Sequence, residues 1–261
     1  MGQAKTRLRN MKSRHPKCCL CAGGSPTETI EHAPPKIMFW GKQRPKGMEV
    51  PACKRCNSGN SELDQLAAFC AMSQHLEPET DWPDTKIKDF RKVAQGCLRN
   101  IPDMLDMFKL GPNNGLAVRA IIFNDQKLFK DKLNAWAAKQ ALAHWFKITN
   151  GRIFPSEGVV AVRWITNGEF GPQLNGFAEL LTKLSNATTL TQGKWNVSDQ
   201  FFVRWEVNAE DNIGGIYCRY HGTGFVAALV EDETILSGDL KLLAGTGSSF
   251  KTSSDRGIYP V

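Results

Sequence analysis

The sequence predicts an α+β protein, with a small N-terminal unit of two strands and a helix followed by a larger part with an antiparallel sheet. Two Cys-x-x-Cys pairs bracket two strand-like segments near the start of the chain, and four short β-branched and apolar runs follow residue 158. A length of 261 residues with 41% hydrophobic content allows one small unit and one larger core.

Cysteine spacing defines the N-terminal unit. Cys18 and Cys21 form the first pair, and Cys53 and Cys56 form the second. Zn²⁺ prefers four tetrahedral nitrogen or sulfur ligands, and each Cys-x-x-Cys turn presents two thiolates. We therefore expect a structural zinc site, with disulfides or free thiols as the alternative. No signal peptide and no apolar run of about 18 residues is found, so we expect no membrane span and a cytoplasmic protein with reduced thiols.

The segment between the two pairs predicts a hairpin. Residues 27–33 and 48–52 have strand character, and a capping-box-like Ser-x-x-Asp pattern at Ser61 begins a helix. Strand, loop, strand and helix above a zinc site form a ββα unit. In such a unit, Glu31 and His32 end the first strand and Asn57 lies where the helix begins.

These residues carry a family resemblance. The order Cys-x-x-Cys, Glu-His-x-Pro-Pro-Lys, Val-Pro-Ala-Cys-x-x-Cys-Asn and Ser-x-x-Asp resembles the zinc-stapled branch of the HNH endonucleases, which are ββα-metal nucleases of bacteria, phages and mobile elements. The resemblance covers about residues 15–75. It implies that His32 activates water as general base, and that Glu31 and Asn57 hold one catalytic Mg²⁺ or Mn²⁺. The zinc at the cysteines would be structural.

The sequence departs from the family pattern at two positions. The acidic residue before the histidine is more often Asp, and Glu31 is one methylene longer. The Asn that orients the histidine is expected near residues 47–50, where Met48 and Glu49 stand instead. Asp64 could complete the metal shell, but helix capping is the favoured interpretation of an acidic residue in a first turn.

Charge indicates a nucleic-acid partner. The formal net charge is +7 and the pI about 9.0, and most of the excess precedes residue 56. Basic side chains neutralise phosphates without carrying a sequence code. We expect DNA as the partner, with RNA also open; a solvated basic tail is the alternative. The candidate contacts are Arg7, Arg9, Lys12, Arg14, Lys36, Lys42, Arg44, Lys54 and Arg55.

The domain prediction divides the chain at an acidic, Pro-containing stretch. Residues 1–76 form a basic arm and the zinc-stapled module, 77–85 a linker, and 86–261 an α+β accessory domain of unknown role. Within that domain, residues 125–147 predict an amphipathic helix. Residues 236–261 are rich in Gly, Ser and Thr, so we expect a loosely ordered tail.

The predicted function is hydrolysis of DNA phosphodiester bonds by an HNH-type endonuclease. The alternative is a catalytically silent zinc module that docks on DNA or RNA while the C-terminal domain carries the activity. Double-strand cleavage by a module with one active site would require a homodimer.

Overall fold

The structure is a computed structural model of a mixed α/β protein. It describes residues 3–58, 61–73, 83–100, 108–111, 120–123, 126–165, 184–187, 191–192, 195–197, 199–232, 234, 247–255 and 257–260. The first part of the chain comprises α1 (Gln3–Arg14), β1 (Thr29–His32), β2 (Glu49–Ala52), α2 (Lys54–Ser58) and α3 (Ser61–Ser73).

The hairpin β1–β2 is antiparallel, with Thr29 opposite Ala52 and His32 opposite Glu49. The long loop that joins its strands packs onto the end of the larger sheet. The backbone N–H of Trp40 donates to Gln200 Oε1 over 2.9 Å, and the Trp40 side chain is only 8% exposed. Trp40 therefore fixes the loop to the rest of the protein.

In the larger part, the described residues form two helices and the remaining strands. These are α4 (Asp84–Asn100), β3 (Phe108–Gly111), β4 (Ala120–Phe123), α5 (Gln126–Ile148), β5 (Val159–Ile165), β6 (Asn186–Ala187), β7 (Thr191–Gln192), β8 (Trp195–Asn196), β9 (Phe201–Asn208), β10 (Ile213–Tyr220), β11 (Thr223–Val230), β12 (Ser248–Ser253) and β13 (Gly257–Pro260). The main sheet has seven strands in the order β13-β12-β5-β11-β10-β9-β6, and its neighbours pair antiparallel. The prediction of an antiparallel sheet is confirmed.

Helix α5 lies at the centre of the molecule. Between Leu133 and Phe146, every residue except Ala135 and Lys139 is fully buried. The helix packs on β5 and β11 and also contacts α3, β2 and the turn at residues 19–21. The prediction of a helix is confirmed, but the predicted single apolar stripe is wrong, because elements cover α5 on both sides and the polar Asn134, Gln140 and His144 are buried along with the apolar residues.

One hydrophobic core joins the two parts of the chain. It runs from Cys18 in the first cysteine pair to Phe250 in β12. Of the predicted linker, residues 77–82 lie outside the described residues, and helix α4 begins at Asp84.

The expectation of a loosely ordered tail is wrong for its last part. Strand β12 pairs with β5, and β13 pairs with β12. Phe250 and Thr252 are buried, and the Thr252 hydroxyl donates to the carbonyls of Pro155 and Gly158. Small hydroxyl side chains suit this edge because they satisfy backbone carbonyls of the adjoining loop.

Candidate metal centre and the hairpin beside it

The four predicted zinc cysteines converge at the base of the hairpin. Cys18 and Cys21 flank a tight turn after α1, while Cys53 directly follows β2 and Cys56 lies in α2. All four side chains are buried, and their sulfur atoms lie within 4.8 Å of one another. Four thiolates around a tetrahedral Zn²⁺ would be separated by about 3.8 Å, given a Zn–S bond of about 2.3 Å. The site can therefore hold a metal ion such as zinc.

The protonation of these thiols favours a cation. Hydrogen bonds from Cys18 and Cys56 lower the pKa of Cys21. The hydrogen bond with Cys21 in turn raises the pKa of Cys18. Burial raises the pKa of the neighbouring Cys19, which stays a protonated thiol outside the ligand set. Without a metal, buried sulfurs share protons among themselves, whereas a bound cation would allow all four to ionise.

Strand β1 has two faces with different surroundings. Its inner face turns toward α3 and α5 and carries Glu31, which is 7% exposed. Burial, together with the nearby Asp64 carboxylate, raises the pKa of Glu31 to about 7. Glu31 Oε2 has no hydrogen-bond partner among the described residues. This carboxyl therefore has an oxygen free to accept a proton donor or a cation.

Glu31 forms the inner cluster with Asp64 of α3 and Lys139 of α5, whose charges act on it, and with Trp136 of α5, which contacts Asp64. The indole N–H of Trp136 donates to Asp64 Oδ1 over 2.8 Å. Burial raises the pKa of Asp64 to about 6. Burial lowers the pKa of Lys139, while Cys56, Glu31 and Asp64 oppose that shift. Lys139 is thus a cation whose charge acts on both carboxyls and on the neighbouring cysteines.

The outer face of β1 carries His32, which lies in the outer cluster of Arg7, His32, Arg44 and Glu49. His32 Nε2 is 3.4 Å from Glu49 Oε1. Two arginines approach the same oxygen, with Arg7 at 3.1 Å and Arg44 at 3.8 Å. Burial, followed by the charge of Arg44, lowers the pKa of His32. A half-exposed imidazole that is neutral at neutral pH can accept a proton.

Asn57 joins α2 to the hairpin. Its Nδ2 donates to Thr29 Oγ1 over 2.9 Å and to the Ile30 carbonyl over 3.4 Å. The amide is therefore fixed to the strand that carries the other two candidate catalytic residues. Glu31 and His32 themselves leave opposite faces of β1, and the Arg44 guanidinium acts on both, since it lowers the pKa of each.

The candidate nucleic-acid contacts divide into two groups. Arg7 and Arg44 are engaged at Glu49, and Arg55 donates to the Asp255 carbonyl at the far end of the chain. The remaining candidates, Arg9, Lys12, Arg14, Lys36, Lys42 and Lys54, are exposed.

Sequence reasoning missed Glu49 and Lys139. Hairpin register could have identified Glu49, because it stands directly opposite His32. Lys139 is a single basic residue between Ala137–Ala138 and Ala141–Ala143 of α5, and a basic side chain in such an apolar stretch is seldom buried without a partner of opposite charge.

Comparison of the chain with family models, curated proteins and solved structures finds no match in any of the three. Among the described helices, none combines the length and the apolar character that crossing a bilayer requires.

Proposed function

We propose that the chain is a metal-dependent endonuclease of the HNH type that hydrolyses phosphodiester bonds of DNA. The observation that carries this proposal is His32. It is neutral and half-exposed at the end of β1, it faces a carboxylate and lies close to two arginines, and the cysteine site lies at the base of the same hairpin. A neutral imidazole beside phosphate-binding groups is the arrangement that general-base hydrolysis requires.

His32 would take the proton from the attacking water through a ring nitrogen. Glu49 Oε1 lies 3.4 Å from His32 Nε2, so the carboxylate would fix the orientation of the imidazole ring. It would also stabilise the imidazolium that forms when the ring takes the proton. The guanidinium groups of Arg7 and Arg44 would bind the phosphate whose ester is cut. Glu49 thereby takes the orienting position for which the family pattern has Asn.

The donor set also suits a hard divalent cation. Glu31 offers an oxygen without a hydrogen-bond partner in the described structure, and Asn57 offers an amide oxygen while its Nδ2 is engaged on β1. Oxygen ligands of this kind are those that Mg²⁺ and Mn²⁺ prefer. Such an ion, when bound, would polarise the phosphate and stabilise the leaving 3′ oxygen.

The alternative function is a zinc module that docks on nucleic acid without chemistry. A specific observation favours it: in the part of the chain that the structure describes, the four cysteines form the only group of three or more Cys, His, Asp or Glu side chains able to share a metal. A docking module binds zinc alone, whereas a nuclease binds a second, exchangeable ion.

Supercoiled-plasmid cleavage tests the proposal. The native chain and His32→Ala are compared with Mg²⁺ or Mn²⁺ at low salt, with zinc content and DNA binding measured for both. We expect metal-dependent nicking, and a loss of about 10²- to 10⁴-fold in the variant with zinc retained. Equal cleavage by both proteins would remove His32 from the mechanism. No cleavage by the native chain, of DNA or of an RNA of the same sequence, would favour the docking module.

A further inference from the structure

A cleft of about 240 Å³ lies on the outer side of the hairpin, between α1, the hairpin and the end of α5. Its walls carry Arg7 and Arg14 from α1 and Lys147 from α5, and its floor includes Ile30 and Phe146. The cleft continues from Glu49 and therefore adjoins the outer cluster.

The end of α5 fixes the far wall of the cleft. After the helix ends, Asn150 and Gly151 both have positive φ angles, of 55° and 99° respectively. A Cβ at Gly151 would lie 2.8 Å from His15 Cε1, so glycine is needed both for its backbone conformation and for this close approach. The His15 ring also meets Phe146 edge-on at 4.9 Å. The last turn of α1 is therefore held against α5.

Positive charge is uncompensated in this cleft. Glu49 is the one carboxylate among its lining residues, and it is already engaged with Arg7. Arg14 and Lys147 lie close to His15, since their charges add to burial in lowering its pKa. Both side chains are exposed. Arg14 and Lys147 have no carboxylate beside them in the lining, and apolar residues lie beneath them. The cleft can therefore bind an anion that carries an adjoining apolar group.

We propose that this cleft binds a backbone phosphate of the nucleic acid, with Arg14 and Lys147 as its main ligands and His15 against the adjoining sugar. The inference rests on the proposed function, because it places the strand of the same substrate beside His32. Arg7 would exchange part of its interaction with Glu49 for the next phosphate along the strand. DNA and RNA share this chemistry, and duplex DNA is the substrate to which the proposal commits.

The test is binding of a fluorescent DNA duplex, measured by anisotropy over a series of salt concentrations. The His32→Ala background, without added Mg²⁺ or Mn²⁺, prevents cleavage. The double variant Arg14→Gln/Lys147→Gln is compared with Lys88→Gln/Arg91→Gln on α4, which makes the same change in net charge with exposed residues outside the cleft. A duplex RNA of the same sequence forms the second arm.

We expect the cleft variant to reduce the slope of log affinity against log salt by about one, because one phosphate contact is lost, and to weaken binding roughly tenfold at 0.1 M salt. The α4 variant should change affinity by less than about threefold. Equal losses in the two variants would overturn the proposal, because binding would then follow total charge. A larger loss for RNA than for DNA would overturn the commitment to DNA.

A gain-of-binding variant removes the ambiguity of misfolding. Asn10 lines the cleft and is exposed, so Asn10→Arg adds a cation there. We expect tighter binding and a slope steeper by about one; unchanged binding would count against the cleft.

The proposed function and the proposed cleft can be contradicted separately. A native chain that binds DNA through the cleft but does not cut it would contradict only the proposed function.

Discussion

The two faces of β1 place the same chemical groups in opposite surroundings. The inner cluster is sealed beneath α3 and α5, and its glutamate is 7% exposed with a pKa raised to about 7. The outer cluster is open, and its glutamate is bonded to Arg7 and lies close to Arg44. One hairpin therefore holds one carboxyl group that solvent scarcely reaches and one whose charge is compensated at the surface.

The difference assigns different tasks to the two faces. The buried Glu31 carboxyl has an oxygen without a hydrogen-bond partner among the described residues, so a nearby cation would stabilise its ionised form. Lys139 is the cation already present in the inner cluster. An open histidine and carboxylate can meet substrate without rearrangement of the core. In the proposed nuclease, proton transfer and phosphate binding would therefore take place on the outer face, and an ion held by Glu31 would reach the phosphate only if the inner face opened.

The largest expected effect comes from removing the metal site, which supports both faces. Cys21→Ala should lose its bound zinc and most of the stability of the N-terminal unit, because structural zinc contributes about 10 kcal/mol or more to comparable small units. Cys19→Ala removes a buried thiol from the same turn that is not a ligand, and should keep zinc at a cost of about 1 kcal/mol. Metal analysis and thermal unfolding measure both. Equal zinc content in the two variants would contradict a four-cysteine site.

The same substitution on the two faces gives the next largest effect. Between the ordinary value of 4.5 and about 7, the folded protein retains a proton on Glu31 that the unfolded chain releases. The free energy of unfolding therefore falls as the pH rises through this window. Glu31→Gln abolishes the ionisation, so at pH 8 it should stabilise the Mg²⁺-free protein by about 2 to 3 kcal/mol.

Glu49→Gln is the matched control on the outer face. Its carboxylate pairs with arginines near the surface, so the change should cost less than about 1 kcal/mol and leave the pH dependence of unfolding in place. Chemical denaturation at pH 4 and pH 8 measures both variants. Similar pH profiles for the native chain and Glu31→Gln would contradict a sealed inner carboxyl.

The smallest expected effect concerns the hydrogen bond within the inner cluster. Trp136→Phe removes the donor to Asp64. Trp164→Phe is a matched control, because Trp164 is equally buried and its indole nitrogen has no hydrogen-bond partner among the described residues. We expect Trp136→Phe to be less stable than the control by about 1 to 2 kcal/mol at pH 7. Equal stability would show that solvent already satisfies Asp64.

Local features of the chain predicted much of this arrangement. Cysteine spacing identified the four converging sulfurs, and apolar periodicity located β1, β2, α3 and α5 to within a few residues. Both patterns depend only on residues that are close in the sequence, so they can be recognised without knowledge of the tertiary fold.

The features that sequence reasoning missed depend on distant contacts. Glu49 gains its role only through the register of the hairpin, and Lys139 only through the packing of α5 against two separate carboxyls. Strands β12 and β13 have little intrinsic strand signal, and they form because β5 offers an edge. The assignment of Glu31, His32 and Asn57 to nuclease chemistry stays a prediction.

The contact between Arg55 and the Asp255 carbonyl spans 200 residues of sequence. Nearby, the backbone of Ser254 approaches Gly24 so closely that a Cβ there would lie 1.8 Å from the Ser254 carbonyl oxygen. The turn that follows β12 therefore encloses the loop after Cys21, next to the candidate metal site. During synthesis on the ribosome, the cysteines emerge long before this turn exists. A nascent chain can load zinc early, but it acquires the enclosed form of the site only once β12 has joined the sheet.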